Sequence, residues 1–435
     1  MSLAVKTAIV MVVLLVVMLA MGVSISVSVG LASAVAMLCM LPADISFATS
    51  AQRLFAGANS FSLIAIPFFI LAGNIMNNGG IAERLVNVAK VLSGRMPGAL
   101  SQANVVANML FGAISGSGAA AAAAIGGTIG PMQEKEGYDP AYSAVVNIAS
   151  APTGMLIPPS NLMIVYSTIA GSVSVAALFT AGYVPGILWG VLVMILAGIT
   201  AKKRGYVAEE RVSMSVAVKV ILDAIPSLLL IVIIIGGILL GVFTATEASA
   251  VAVAYSVILA LLYKGITLKD LPGIILKSAK MTGIITLMIG LSSIMSWVMA
   301  FTSFPDLIAG AILSLTSNQY VILVLMNIIL LIVGTFMDPT PAVLIFTPIF
   351  LPICQTFGMH PVQFGIMVSM NLCIGTITPP VGSILFTGCK VANVKIEQVI
   401  KQLLPYFGVI LAELLLVTYI PAISMTLPTL AGLIK

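Results

Sequence analysis

The sequence predicts an all-α polytopic membrane protein, and three observations predict it. Apolar runs of about 20 residues follow one another along the chain, the length a hydrocarbon core of ~30 Å demands of a spanning helix. Charged residues are 8% of the 435 and hydrophobic ones 60%, with a mean hydropathy of +1.19. A soluble domain cannot hide that much apolar surface beneath a polar shell. The basic residues gather in alternate connections instead of spreading evenly. The runs are continuous, which excludes the short alternating strands of a β-barrel.

The first run, 8–22, looks superficially like a signal peptide. A second apolar run at 29–41 follows almost at once, with no persuasive small-residue cleavage pattern, so the first is predicted as a retained span. Spans are expected near 3–21, 23–41 and 59–77, then a basic, partly amphipathic stretch at 80–96 suited to a helix in the cytoplasmic interface. Segments 98–114 and 117–131, separated by "SGSG", lead to a short polar loop at 132–139. A run from 140 to 171 is broken by "TGMLIPPSN" (153–161), and 176–200 precedes the basic loop 202–211. The order then returns: 221–242, 244–263, a second basic interfacial stretch at 264–280, then 281–301, 319–333 and 341–353. After a short loop come 361–389, broken by "TITPPVG" (376–382), and 402–426.

The letters repeat as well. "PMQEKEGYDP" (131–140) and "PICQTFGMHP" (352–361) share Pro, Gly and Pro at an offset of 221, which also carries "IPPSN" (157–161) onto "TPPVG" (378–382). "MGVSISVSVGLASAVA" (21–36) faces "LGVFTATEASAVAVA" (240–254), and "GAISG" (112–116) faces "GTFMD" (334–338). Their collinearity predicts two repeats, 1–212 and 213–435. Each would hold a re-entrant hairpin, about 98–131 and about 319–353, and a broken helix, 140–171 and 361–389. Five crossing helices per repeat is an odd number, so the second copy is expected inverted. With the N-terminus outside, 78–97, 132–140, 202–219, 264–280 and 390–401 become cytoplasmic. They hold all of the 19 Lys and Arg except Lys6, Arg53 and Lys435, as the positive-inside rule requires. Both termini are then periplasmic. The basic excess is a topology signal, and nucleic-acid binding is set aside.

The four cysteines lack metal-ligand spacing, and the lone histidine, His360, argues against a histidine metal site. An intramembrane enzyme would want a nucleophile–base pair or a metal cluster, and the sequence offers neither, so no enzyme is expected. The breaks carry the chemistry instead. An unpaired backbone group in hydrocarbon costs several kcal/mol, so broken helices persist only where protein, water or a ligand satisfies them. Helix C-terminal carbonyls and hydroxyls suit sodium, and half-helix N-termini attract an anion. Paired breaks favour alternating access over a passive channel.

Plainer readings stand beside these. "SGSGAAAAAA" also reads as a small-residue packing surface. Asp338 before Pro339 also reads as an N-cap with proline at N1. Thr153, Asn161, Thr376 and Thr378 suit backbone capping as well as ligation. Glu247 and Glu413 are expected in structural pairs or subunit contacts, and Asp223, Trp189 and Trp297 at the membrane interface.

Four stretches carry a resemblance: "NMLFGAISGSGAAAAAAIG", "PMQEKEGYDPAYSAVVNIASAPTGMLIPPSN", "GTFMDPTPAVLIFTPIFLPI" and "IGTITPPVGSILF". Through them the whole chain resembles the large membrane subunit of tripartite ATP-independent periplasmic (TRAP) transporters, with an overall look nearest to the sialic-acid members. The resemblance implies a sodium-coupled elevator transporter of the bacterial inner membrane, whose hairpins and broken helices form the mobile domain. It implies a small four-helix membrane subunit and a soluble periplasmic substrate-binding protein as partners. No four-helix preamble precedes the first span, so the small subunit is expected on a separate chain. The implied substrates are organic acids such as C4-dicarboxylates, keto acids and sialic acid, with sodium ions for coupling and no other cofactor. Carried onto this sequence, the sodium regions fall on Ser115, Gly116, Ser117, Thr153, Gly154, Gly334, Asp338, Gly375, Thr376 and Thr378. Substrate contacts are expected at Ser117, Asn161 and Pro379. The breaks contain no Arg or Lys, so sodium, helix N-termini and hydroxyls would balance a substrate carboxylate. A stand-alone sodium/anion symporter is the alternative.

Overall fold

A computed structural model describes residues 3–171, 173–206, 213–303, 310 and 318–434, and no strand occurs among them. The first half runs α1 (Leu3–Ala20), α2 (Ile25–Leu38), α3 (Ala43–Ala58), α4 (Ala65–Asn78), α5 (Ile81–Ser93), α6 (Ala99–Ser115) and α7 (Gly118–Lys135). It continues with α8 (Pro140–Ser150), the single turn α9 (Thr153–Leu156), α10 (Asn161–Ala170) and α11 (Val175–Lys203). The second half runs α12 (Met214–Leu239), α13 (Ala245–Leu262), α14 (Leu271–Phe301), α15 (Gln319–Phe336), α16 (Pro339–Thr356), α17 (Pro361–Gly375), α18 (Ser383–Val391), α19 (Ile396–Tyr419) and α20 (Pro421–Leu430). Seven of these helices are long and apolar enough to cross a bilayer, and the pair 140–156 and 161–170, bent by 44°, would bring the number to eight if it crosses as one broken span.

Two bodies emerge from the packing. In one, α14 lies against α2, α3 and α4, while α13 packs on α4 and α12. In the other, α6 packs on α7, α8 and α9, α15 and α16 pack on α17, and α11 and α19 lie against each other. Fully buried Phe111, Tyr142, Tyr166, Phe179, Trp189 and Phe364 fill the second body. Trp189 is therefore a core residue, not the interfacial one expected: its indole N–H donates to the Ala149 carbonyl at 2.8 Å.

Several elements depart from expectation. Residues 43–58 form a helix the hydropathy pattern did not announce, because most of its side chains are exposed and only Ser46 is buried. The basic stretch 264–280 is no separate interfacial helix from Leu271 onward. Nothing between Lys277 and Met281 breaks the ladder, so α14 runs 31 residues as one element, ~46 Å long at 1.5 Å per residue. Conversely, 402–426 divides at Ile420, since Pro421 disfavours helical backbone in the residue before it (φ −114°, ψ 91°). Helix α7 continues to Lys135, past the expected loop start. Arg211, Lys435 and the boundary at 212 lie outside the described residues.

Glu247 and Asp223 have structural partners. Glu247 is the N3 residue of a capping box, its carboxylate accepting the Thr244 N–H at 2.7 Å. Asp223 pairs with Arg84 at 3.0 Å, and that guanidinium lies 3.5 Å over the Tyr263 ring, tying α5 to α12 and α13. Glu413 is fully buried in α19, so it is no subunit contact.

The two broken helices begin alike, at an offset of 221. Asp139 accepts the Ala141 N–H at 3.1 Å, and His360 Nδ1 accepts the Val362 N–H at 3.1 Å, each followed by proline at N1. Burial opposes the charge on Asp139, but hydrogen bonds from Arg204, Gln402 and the Ala141 amide outweigh it and hold its carboxyl below the usual range. Burial alone lowers the His360 imidazole. Both groups then bind fewer protons folded than unfolded, so both stabilise at neutral pH and lose that contribution on acidification. The histidine step begins near pH ~6.5 and the aspartate step follows in the carboxylate range. Thermal melts against pH should show the upper step as a fall in melting temperature on acidification, and His360→Asn should remove it while keeping the cap.

Candidate functional site

Each break is built from a hairpin tip and a broken helix pressed together by glycine. Gly112 in α6 meets Gly154 in α9 so closely that a Cβ built on Gly154 would stand 2.2 Å from the Gly112 Cα. In the other half a Cβ on Gly375 would stand 2.3 Å from the Gly334 carbonyl carbon. Behind each contact a buried asparagine pair joins the arm to the broken helix. Asn108 Nδ2 donates to Asn147 Oδ1 at 3.0 Å, and Asn371 Nδ2 donates to Asn327 Oδ1 at 2.6 Å.

At the first break Ser115 ends α6 and Gly116 takes the left-handed conformation (φ +61°) that glycine adopts without a Cβ penalty. Ser117 then caps α7, its hydroxyl accepting the Ala120 N–H at 3.3 Å. The Thr153 hydroxyl donates to the Ser150 carbonyl at 2.7 Å, Ser160 caps α10, and Asn161 is that helix's first residue. At the second break Asp338 holds the N-cap position of α16 with Pro339 at N1, yet its side chain makes no cap hydrogen bond. The capping reading thus gives way: the carboxylate has no hydrogen bond or ion pair among the described residues and lines a cavity. The Thr376 and Thr378 hydroxyls donate to the Cys373 and Ile374 carbonyls at 2.6 and 2.7 Å, keeping their lone pairs free.

The cavity, about 500 Å³, lies between the two bodies. It brings together Gly116, Ser117, Asn161, Asp338 and Thr376 from the sequence-predicted set. Ser115, Thr153, Gly154, Gly334, Gly375, Thr378 and Pro379 stand outside its lining, most of them behind it in the two glycine contacts. Residues that sequence reasoning did not single out also line it: Ser24 and Ser26 at the start of α2, Thr340 in α16 and Ser383 at the start of α18. The signal for Ser24 was a serine preceding an apolar run, read only as part of the repeat.

The electrostatics follow from helix ends. The first turns of α2, α7, α10, α16 and α18 all contribute to the lining. Helix α16 has proline at N1 and N3, and the Ile384 and Leu385 amides of α18 donate to the Thr376 carbonyl. The free amides with partial positive charge therefore come chiefly from α2, α7 and α10. Asp338 is the one charged side chain among the lining residues. Such an enclosure can hold an anion on backbone amides and a cation on a carboxylate, side by side.

Comparison with known proteins adds a family. The model described as "Tripartite ATP-independent periplasmic transporter, DctM component" matches residues 12–423. The uncharacterized protein YgiK of Salmonella typhimurium is 52% identical over 400 residues, 92% of each chain. The C4-dicarboxylate TRAP transporter large permease protein DctM of Pseudomonas aeruginosa is 38% identical over 404 residues, 93% of this chain and 94% of that one. Among solved structures, the YdaH transporter of Alcanivorax borkumensis superposes with a TM-score of 0.64 at 14% identity, covering 86% of this chain and 87% of that chain. At that identity the likeness is one of fold.

Proposed function

The chain belongs to the DctM component family of tripartite ATP-independent periplasmic transporters, and from that premise we propose that it imports an organic acid by sodium symport. It is a multi-pass permease of the inner membrane, not an enzyme. The family's tripartite make-up gives it a small membrane subunit and a periplasmic binding protein, which sets aside the stand-alone symporter. The small subunit has four helices, and both termini of this chain face the periplasm. The acid belongs to the family's range of C4-dicarboxylates, keto acids and sialic acid.

One observation carries the reading: a cavity lined by five helix N-termini and one carboxylate, with no basic side chain among its lining residues. Anionic substrate and coupling cation then neutralise each other inside it. The acid's carboxylate rests on the N-termini at Ser117 and Asn161. One sodium lies behind the first tip, on oxygens around Ser115, Gly116, Thr153 and Gly154. The second lies between Asp338 and the Gly334, Gly375, Thr376 and Thr378 segment. Because the cavity separates two packed bodies, sliding the hairpin-bearing body along α2, α4 and α14 would carry it across the membrane as an elevator.

Proteoliposomes containing this chain and its small subunit, supplied with the binding protein and the acid, test the proposal. An inward sodium gradient should drive accumulation above the external concentration, and omission of any component should abolish it. Accumulation that persists without sodium would refute the symport.

A further inference from the structure

A second, much smaller cavity lies where α7 ends and α8 begins. Four helices of the hairpin-bearing body wall it: Asn104 comes from α6, Gln133 from α7, Ser143 and Asn147 from α8, and Gly388 from α18. Its volume of about 10 Å³ is that of a single water site. Two of these side chains are buried with hydrogen-bonding capacity unused. Gln133 is 1% exposed and Ser143 7%, and neither Gln133 Oε1 nor the Ser143 hydroxyl has a hydrogen-bond partner among the described residues. A helical serine ordinarily donates back to its own helix, as Ser150 of α8 does to the Val146 carbonyl at 2.7 Å. Ser143 does not. Polar groups left unpaired at this depth cost stability, and each calls for a partner.

We propose that this cavity holds one fixed water molecule, which donates to Gln133 Oε1 and shares a hydrogen bond with the Ser143 hydroxyl. The chemistry selects water over an ion. No lining side chain carries a charge, so a cation there would exchange its hydration for neutral groups alone. The water ties the second arm of the first hairpin to α8, beside the direct bond from Asn147 Nδ2 to the Ala122 carbonyl at 2.9 Å. The link continues inward, because Asn108 Nδ2 of the first arm donates to Asn147 Oδ1 at 3.0 Å and to Ser150 Oγ at 2.8 Å. The hairpin is thereby fastened to the broken helix at its root as well as at the Gly112–Gly154 contact, so tip and break move as one piece.

The test is a structure of the purified permease complex at a resolution that shows ordered water, determined once in sodium buffer and once in potassium buffer. A peak within about 3.2 Å of both Gln133 Oε1 and Ser143 Oγ is expected in both. No peak overturns the proposal, and so does a peak that disappears without sodium, which would mark a cation site instead. Melting temperatures supply an independent check. Ser143→Ala and Gln133→Met should each lower the midpoint. The double variant should lower it by clearly less than the two losses together, because a shared water is lost only once. Strictly additive losses would show that no common ligand joins the two side chains.

Discussion

Replacing Asp338 with Asn is expected to raise the sodium concentration for half-maximal uptake about 100-fold while leaving the fold intact. The carboxylate follows α15 and heads α16, yet it caps nothing and pairs with no described side chain, so its charge holds no structure together. A unit charge about 4 Å from a cation, at an effective dielectric near 20, contributes ~4 kcal/mol. The asparagine carbonyl oxygen retains part of that, leaving a loss on the order of 3 kcal/mol, or about 100-fold. Initial uptake rates across a sodium series measure the shift. An unchanged half-saturation value would remove Asp338 from the ion site.

Gly154→Ala should be among the most damaging single methyls at the described residues. A Cβ there would lie 2.2 Å from the Gly112 Cα, 2.7 Å from its carbonyl carbon and 3.1 Å from its oxygen. All three are backbone atoms, so no rotamer change relieves the clash. Overpacking costs about 1–3 kcal/mol where side chains can yield, and this contact should reach or pass the upper end. The break would open, and uptake should fall below a tenth of wild type with a clear drop in melting temperature. Gly127→Ala is the control: nothing stands within 4 Å of its Cβ position, and alanine in a helix interior should be neutral or stabilise by up to ~1 kcal/mol. Equal melting temperatures for the two variants would show that the glycine contact does not hold the break closed.

The glycine contacts also show how much of the molecule was legible. Glycine, proline and hydroxyl residues interrupting apolar runs marked the interruptions that fall between α6 and α7, α8 and α10, α15 and α16, and α17 and α18, because hydrocarbon tolerates such residues only where their backbone groups are satisfied. Family membership was legible in the same stretches. What periodicity could not supply was partnership. Gly112 facing Gly154 is a contact between segments 42 residues apart in number, and Asp338 reads as a cap until its unused carboxylate is seen beside the cavity. Helix α3 was missed because it is largely exposed, and hydropathy marks only what is buried or lipid-facing.

The central claim is that acid and sodium occupy one cavity and stabilise each other there. Calorimetric binding of the acid to the purified permease complex at increasing sodium concentration tests it most directly. The account predicts that acid affinity climbs with sodium, and that sodium affinity climbs with acid by the same factor, as linkage requires. An acid affinity that stays constant from sodium-free to saturating conditions would contradict it.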